Sequence, residues 1–205
     1  MSGRRQADTF LKTMETKNKL EEVRARACAC EKCGFWKQRN NVVFGEGNPE
    51  ARILFVGEAP GYNEDKRGIP FCGKAGEVLD RLLDSIGMDR REIYITNVIK
   101  CRPPGNRDPQ DSEVENCREY LDRQIEIIQP GVICCLGRHA LKHIFAKFGI
   151  EEEGSISRLH GKVFEKAEDI FNRVKIIALY HPAVAVYNPG QFALLEKDFS
   201  LLREV

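Results

Sequence analysis

Ile53-Leu-Phe-Val-Gly-Glu-Ala-Pro-Gly61 decides the architecture. Four apolar residues in a row, without polar alternation and stopped by Gly57, describe a strand buried on both faces that feeds a loop. The same grammar returns on either side. Val78, Leu79, Leu82, Leu83 and Ile86 recur at helical spacing and stop at Gly87, which predicts an amphipathic helix. Ile93-Tyr-Ile-Thr-Asn-Val-Ile99 is β-branched and strand-like, and the three prolines of Arg102–Pro109 bar regular structure there. A helix is expected over about 111–129, with Val114, Cys117, Leu121, Ile125 and Ile128 on one face. Val132-Ile-Cys-Cys-Leu136 predicts another strand, closed by Gly137, and Leu141, Ile144, Phe145 and Phe148 a helix ending at Gly149. A strand over Val174–Tyr180 and a helix over 192–202 follow, while Phe10, Met14, Leu20 and Val23 place a helix at the N-terminus up to about Ala27. Residues 150–173 carry no pattern of this kind.

Buried strands alternating with helices make a parallel sheet covered on both faces, so the fold class is α/β. The expected form is a three-layer α/β/α sandwich around a central four-stranded parallel sheet. Such sheets bind ligands at the carboxyl ends of their strands. Here those ends are Gly57–Gly61, the residues from Asn97 onward, Gly137-Arg-His139 and His181-Pro-Ala183.

Composition narrows the function. A chain of 205 residues suits one main domain, its 42% apolar share excludes disorder, and 32 Lys+Arg against 31 Asp+Glu excludes a uniformly basic polyanion binder. No apolar run approaches the roughly 18 residues of a membrane span, and the polar first residues do not read as a signal peptide, so a cytoplasmic protein is expected. Basic charge does collect locally: residues 1–41 hold ten Lys or Arg against five acids. The expected division is a basic helical extension over 1–27 followed by a single domain over 28–205.

In a cytoplasmic chain, eight cysteines point to metal ligands, reactive thiols or packing rather than to disulfides. Cys30 and Cys33 form a C-x2-C pair, and Cys101 and Cys117 lie downstream. Four thiolates complete either a tetrahedral zinc site or an iron–sulfur cluster, and spacing alone does not choose between them. Cys72, Cys134 and Cys135 read as packing, and Cys28 makes only a C-x-C pair with Cys30.

Other chemistry gathers at the strand ends. The loop from Gly57 to Asp65 holds Glu58, Glu64 and Asp65 but lacks the Gly-Lys-Ser/Thr ending of a phosphate-cradling loop. Asn97 stands inside an apolar strand, where a buried amide is costly unless it recognises something. His181 leaves a strand beside a proline.

These motifs together resemble the family-4, iron–sulfur uracil-DNA glycosylases, within the wider uracil-DNA glycosylase fold superfamily. Four blocks carry the resemblance: Val56-Gly-Glu-Ala-Pro-Gly61 with Glu64-Asp65, Gly68-Ile-Pro-Phe-Cys-Gly-Lys-Ala-Gly76, Tyr94-Ile-Thr-Asn-Val-Ile-Lys-Cys-Arg-Pro-Pro104 with Asn106-Arg107, and Tyr180-His-Pro-Ala183. The resemblance implies a uracil-DNA glycosylase-like fold and a repair enzyme that flips uracil from single- or double-stranded DNA, hydrolyses its N-glycosidic bond and leaves an abasic site. It also implies a 4Fe-4S cluster on Cys30, Cys33, Cys101 and Cys117. Phe71 becomes the platform under the flipped base, Asn97 its reader, and Glu58 and Ala59 contribute backbone recognition. Glu64 fills the space of the thymine methyl. His181 donates to the departing base as negative charge develops, an effect worth about 3–4 kcal/mol. Support of the sugar cation by a carboxylate is left to Glu58, to Glu64 or to neither, because Ala59 stands where better-known uracil glycosylases have Asp. Lys100, Arg102 and Arg107 are expected to face DNA phosphates. A monomer is expected, and any replication-clamp partner is unknown.

The chain departs from the family pattern at Cys72, at the extra thiol Cys28, and at Ala183-Val-Ala-Val-Tyr187, which lacks the leucine that other uracil glycosylases push into DNA. The rival reading is a cluster- or zinc-stapled nucleic-acid-binding module without catalysis. Phe71, Asn97 and His181 together argue against it, since a phosphate binder needs none of them.

Overall fold

The apolar run at 53–57 forms the middle of a six-stranded sheet in the computed structural model, which describes residues 2–167 and 173–204, with side chains from Leu11 onward. Arg4, Arg5 and Phe10 therefore have side chains outside the described residues. In chain order the elements are α1 (Ser2–Cys28), β1 (Glu46–Gly47), β2 (Ile53–Gly57), α2 (Tyr62–Arg67), α3 (Lys74–Ser85), β3 (Tyr94–Asn97) and α4 (Asp111–Ile128). They continue with β4 (Val132–Leu136), α5 (Arg138–Phe148), α6 (Ile156–Leu159), β5 (Lys162–Ala167), β6 (Arg173–Leu179), α7 (Ala183–Tyr187) and α8 (Phe192–Phe199).

The sheet order is β1-β3-β2-β4-β6-β5. The four inner strands are parallel, as expected, and an antiparallel strand is added at each edge. β1 has only two residues, and β5 carries exposed Lys162, Val163 and Glu165, so neither shows the continuous apolar run that marks a doubly covered strand. In register, Gly57 lies opposite Asn97 and Val56 opposite both Thr96 and Cys135, which brings three strand ends level.

Alternate residues of the inner strands feed two cores. Leu54, Val56, Ile133 and Cys135 pack with side chains of α1, α4 and α5. Phe55, Cys134, Leu136 and Leu179 pack with Leu79, Leu82 and Leu83 of α3 and Leu195 and Phe199 of α8. The connection after β2 thus leaves toward the α3 layer, and the one after β4 toward the α5 layer. Cys134 and Cys135 are fully buried packing residues.

The second half of α1 joins the body. Leu20 and Val23, each 5% exposed, and Ala27 pack in the core shared with α4. Fully burying a side chain of this size contributes about 1.5–3 kcal/mol. Among the described residues, no helix is long and apolar enough to cross a membrane.

Candidate active site and cysteine centre

A cleft of about 440 Å³ opens at the carboxyl ends of β2, β3 and β6, with Glu58, Glu64, Phe71, Asn97 and His181 on its walls. Its floor depends on a missing side chain. A Cβ on Gly57 would stand 2.3 Å from Asn97 Oδ1 and 2.7 Å from Phe71 Cζ, so any larger residue would displace both.

Phe71 is held in an uncommon conformation, with φ at 49°. Such a backbone persists only where its surroundings over-determine it. Here Glu64 Oε1 accepts from the backbone N–H groups of Cys72 and Gly73 at 3.0 and 2.8 Å. From the other side, the Arg90 guanidinium donates to the carbonyls of Phe71 and Pro70 at 3.2 and 2.5 Å and pairs with Asp80 at 2.8 Å. Gly76 lets the loop close, since a Cβ there would meet the Phe71 carbonyl oxygen at 1.7 Å. The ring is 6% exposed, and its centroid lies 5.5 Å from that of His181.

Asn97 ends β3 at 2% exposure, and among the described residues no hydrogen bond engages its side-chain amide, which borders the cleft. One donor and one acceptor therefore remain for a ligand. Desolvation in the cleft pushes the His181 pKa down to about 4, with Glu64 acting weakly the other way. Its Nδ1 accepts from the Ala183 backbone N–H at 3.2 Å. A neutral imidazole accepting at Nδ1 carries its proton on Nε2, so His181 is a neutral donor of fixed tautomer.

Glu58 lies where β2 opens into the cleft. Desolvation raises its pKa, while His139 and Arg138 oppose the rise and Asp108 adds to it. His139 Nε2 stands 3.8 Å from Glu58 and 3.5 Å from Asp108, and Arg138 pairs with Asp108. Sequence reasoning does not find His139 or Asp108 as functional residues. The one signal it offers is the position of Gly137-Arg-His139 at a strand end. Ala59 also lines the cleft, and Tyr187, 88% exposed, stands at its rim.

The expected phosphate-facing residues separate. Arg102 donates to Asn106 Oδ1 at 2.7 Å and lies over the Tyr62 ring. Arg107 makes a two-pronged pair with Glu113, at 2.6 and 2.9 Å, near the Phe35 ring. Lys100 does not face solvent: it is 1% exposed, held by oxygens of Thr96, Asn97 and Gln124, and the expectation of a phosphate contact is corrected. Burial pushes its pKa down to about 7, and the neighbouring Cys117 and Cys101 oppose that shift.

Cys30, Cys33, Cys101 and Cys117 line one small pocket where the end of α1, the exit of β3 and α4 meet. Arg39 donates to Cys101 Sγ at 3.4 Å, and the Lys100 backbone N–H to Cys117 Sγ at 3.4 Å. Burial pushes the Cys117 thiol up to about 12 and also raises Cys101 and Cys33, while Arg39 pulls the latter two down. Cys28 is exposed and outside this pocket. Among the described residues, no three of the cysteine sulfurs lie within 4.8 Å of one another.

The chain matches the family model of the uracil DNA glycosylase superfamily over residues 44–203. It is 48% identical to a type-4 uracil-DNA glycosylase of Sulfurisphaera tokodaii, over 91% of this chain and 84% of the relative. It is 49% identical to the type-4 enzyme of Archaeoglobus fulgidus, over 91% and 92%, and 43% identical to that of Thermotoga maritima, over 85% and 88%. The chain therefore belongs to the uracil DNA glycosylase superfamily and, within it, to the type-4 uracil-DNA glycosylases.

Proposed function

We propose that the cleft takes a uracil flipped out of DNA and releases it by hydrolysis of its N-glycosidic bond. The observation that carries this reading is the meeting of an aromatic face, an unspent amide and a neutral histidine donor in one cleft. Flipping costs a few kcal/mol of lost stacking and pairing. Stacking on Phe71 returns about 1–3 kcal/mol of it. Asn97 reads the base edge with one donor and one acceptor. Thymine is excluded by collision, because an apolar pocket alone distinguishes one methyl by only about 1–3 kcal/mol. Glu64 is suited to form that barrier, since two backbone N–H groups fix its carboxylate and it cannot swing aside cheaply.

As the glycosidic bond breaks, negative charge grows on the base and positive charge on the sugar. His181 Nε2–H donates to the base oxygen that gains charge, and its neutrality keeps the proton on the histidine. Support of the sugar cation falls to Glu58 rather than Glu64, whose Oε1 is already committed to the platform loop. His139 and Arg138 favour the ionised form of Glu58 against its desolvation.

The four-thiol pocket fits a 4Fe-4S cluster. When bound, the cluster supplies a tie between the N-terminal helix, the residues after β3 and α4. Arg102 and Arg107 suit contacts with the DNA backbone near the cleft mouth.

Incubating the purified protein with a uracil-containing oligonucleotide, without added metal, tests the reading. Free uracil and an alkali-labile abasic site are expected. Tight binding without uracil release would overturn it in favour of a non-catalytic binding module.

A further inference from the structure

Lys100 is fully buried, yet no Asp or Glu is among its partners. Its Nζ lies 2.7 Å from Thr96 Oγ1, 2.6 Å from the Asn97 carbonyl oxygen and 2.6 Å from Gln124 Oε1. All three act as acceptors toward it. Thr96 gives its hydroxyl proton to the Phe44 carbonyl at 2.7 Å, and the Gln124 amide nitrogen donates to the same carbonyl at 2.9 Å. Three acceptors require three N–H bonds, and only the ammonium form of lysine has three. A cation taken out of water and left without an anion is strongly unfavourable, so buried charges are paired or meet a metal centre.

The anion is at hand in the cysteine pocket. Lys100 directly precedes Cys101, lines the pocket with the four cysteines, and gives its backbone N–H to Cys117 Sγ. Its other end reaches the base pocket, because the carbonyl it holds belongs to Asn97. We propose that Lys100 is a positioning residue that joins the two sites: its ammonium is the counter-charge of the group held by the four cysteines, and its bond to the Asn97 carbonyl fixes the strand end from which Asn97 reads uracil. The counter-charge role rests on the reading of those cysteines as a 4Fe-4S site, whose thiolates and cluster carry net negative charge.

Two variants separate charge from fit. Lys100→Met keeps the chain length and removes both the charge and the three bonds. Gln124→Glu keeps Lys100 and its bonds but sets a carboxylate against the ammonium. Each is compared with wild type in iron per chain, in cluster reduction potential by protein-film voltammetry, and in affinity for a uracil-containing against an undamaged oligonucleotide. Lys100→Met is expected to shift the potential negative and to lower uracil discrimination about tenfold, the scale of one charged hydrogen bond. Gln124→Glu is expected to shift the potential negative while discrimination stays within about twofold. A wild-type potential in both variants overturns the counter-charge, and unchanged discrimination in Lys100→Met overturns the link to Asn97. If Lys100→Met does not fold, Gln124→Glu still decides the first point. Iron-free wild-type protein would overturn the cluster reading and the counter-charge with it, and the Asn97 arm would still be decided by discrimination.

Discussion

His181 should work as a neutral donor across the whole physiological range, and a pH–rate profile will show it. An unperturbed histidine is half protonated near pH 6.5. With its pKa pushed down to about 4, His181 is protonated in only roughly 0.3% of molecules at that pH. Single-turnover uracil release at subsaturating enzyme should therefore show no inflection near 6.5, with any change from this group appearing near pH 4. His181→Ala removes the Nε2–H donor and should cost about 10²–10³ in rate, or about 3–4 kcal/mol, while affinity for uracil-containing DNA stays nearly intact. His181→Gln, which can offer a neutral N–H from a similar place, should recover part of the loss. The same shift has a stability consequence. The unfolded chain takes up this proton near pH 6.5 and the folded chain only near 4, so stability falls as pH drops through that window, by at most about 3 kcal/mol from this group. A rate that rises as pH falls, with a midpoint near 6.5, would make the imidazolium the working donor and refute the reasoning.

Further outcomes follow from the walls of the cleft. Glu64→Gly should release measurable thymine but also lower uracil activity through a looser Phe71 loop, whereas Glu64→Gln, which keeps an acceptor oxygen, should preserve discrimination; thymine release by both or neither counts against Glu64 as the barrier. Arg90→Ala removes two charged hydrogen bonds to the platform loop and should weaken uracil-DNA affinity by about 1.5–3 kcal/mol, read by fluorescence anisotropy. Gly76→Ala forces a methyl onto the Phe71 carbonyl and should destabilise the fold by about 1–3 kcal/mol or more in thermal unfolding. Cys117→Ser should lose bound iron while Cys28→Ser retains it, measured by metal analysis after anaerobic purification.

What the sequence made legible, and what it hid, follows from how local each feature is. Ile53–Val56 and Val132–Leu136 announce themselves because a strand covered on both faces must be apolar throughout. Asn97 stands out because an amide is foreign to such a run. Tyr62–Arg67 has no apolar stripe and reads as a loop, although it forms α2. The edge strand β5 buries little, so its sequence carries no demand for apolar residues. The set of Glu58, Asp108 and His139 is assembled by three separate segments, and no spacing rule connects them. Lys100 misleads because a lysine beside a proline loop is ordinarily solvated; its burial depends on Thr96, Asn97 and Gln124 arriving together.

The parting of connections after β2 and β4, toward opposite layers, leaves a natural seam in the molecule. Glu58 follows one strand and His139 the other, so the seam runs through their meeting point. A groove at such a seam exists before any side chain is chosen, because no ladder bond must be broken to make room. The loops on its two banks hang from different layers, one braced by the α3 side and the other by the α4 and α5 side. The backbone of each bank is therefore held by a different layer, and the two banks meet through charge, where His139 faces Glu58 across the seam.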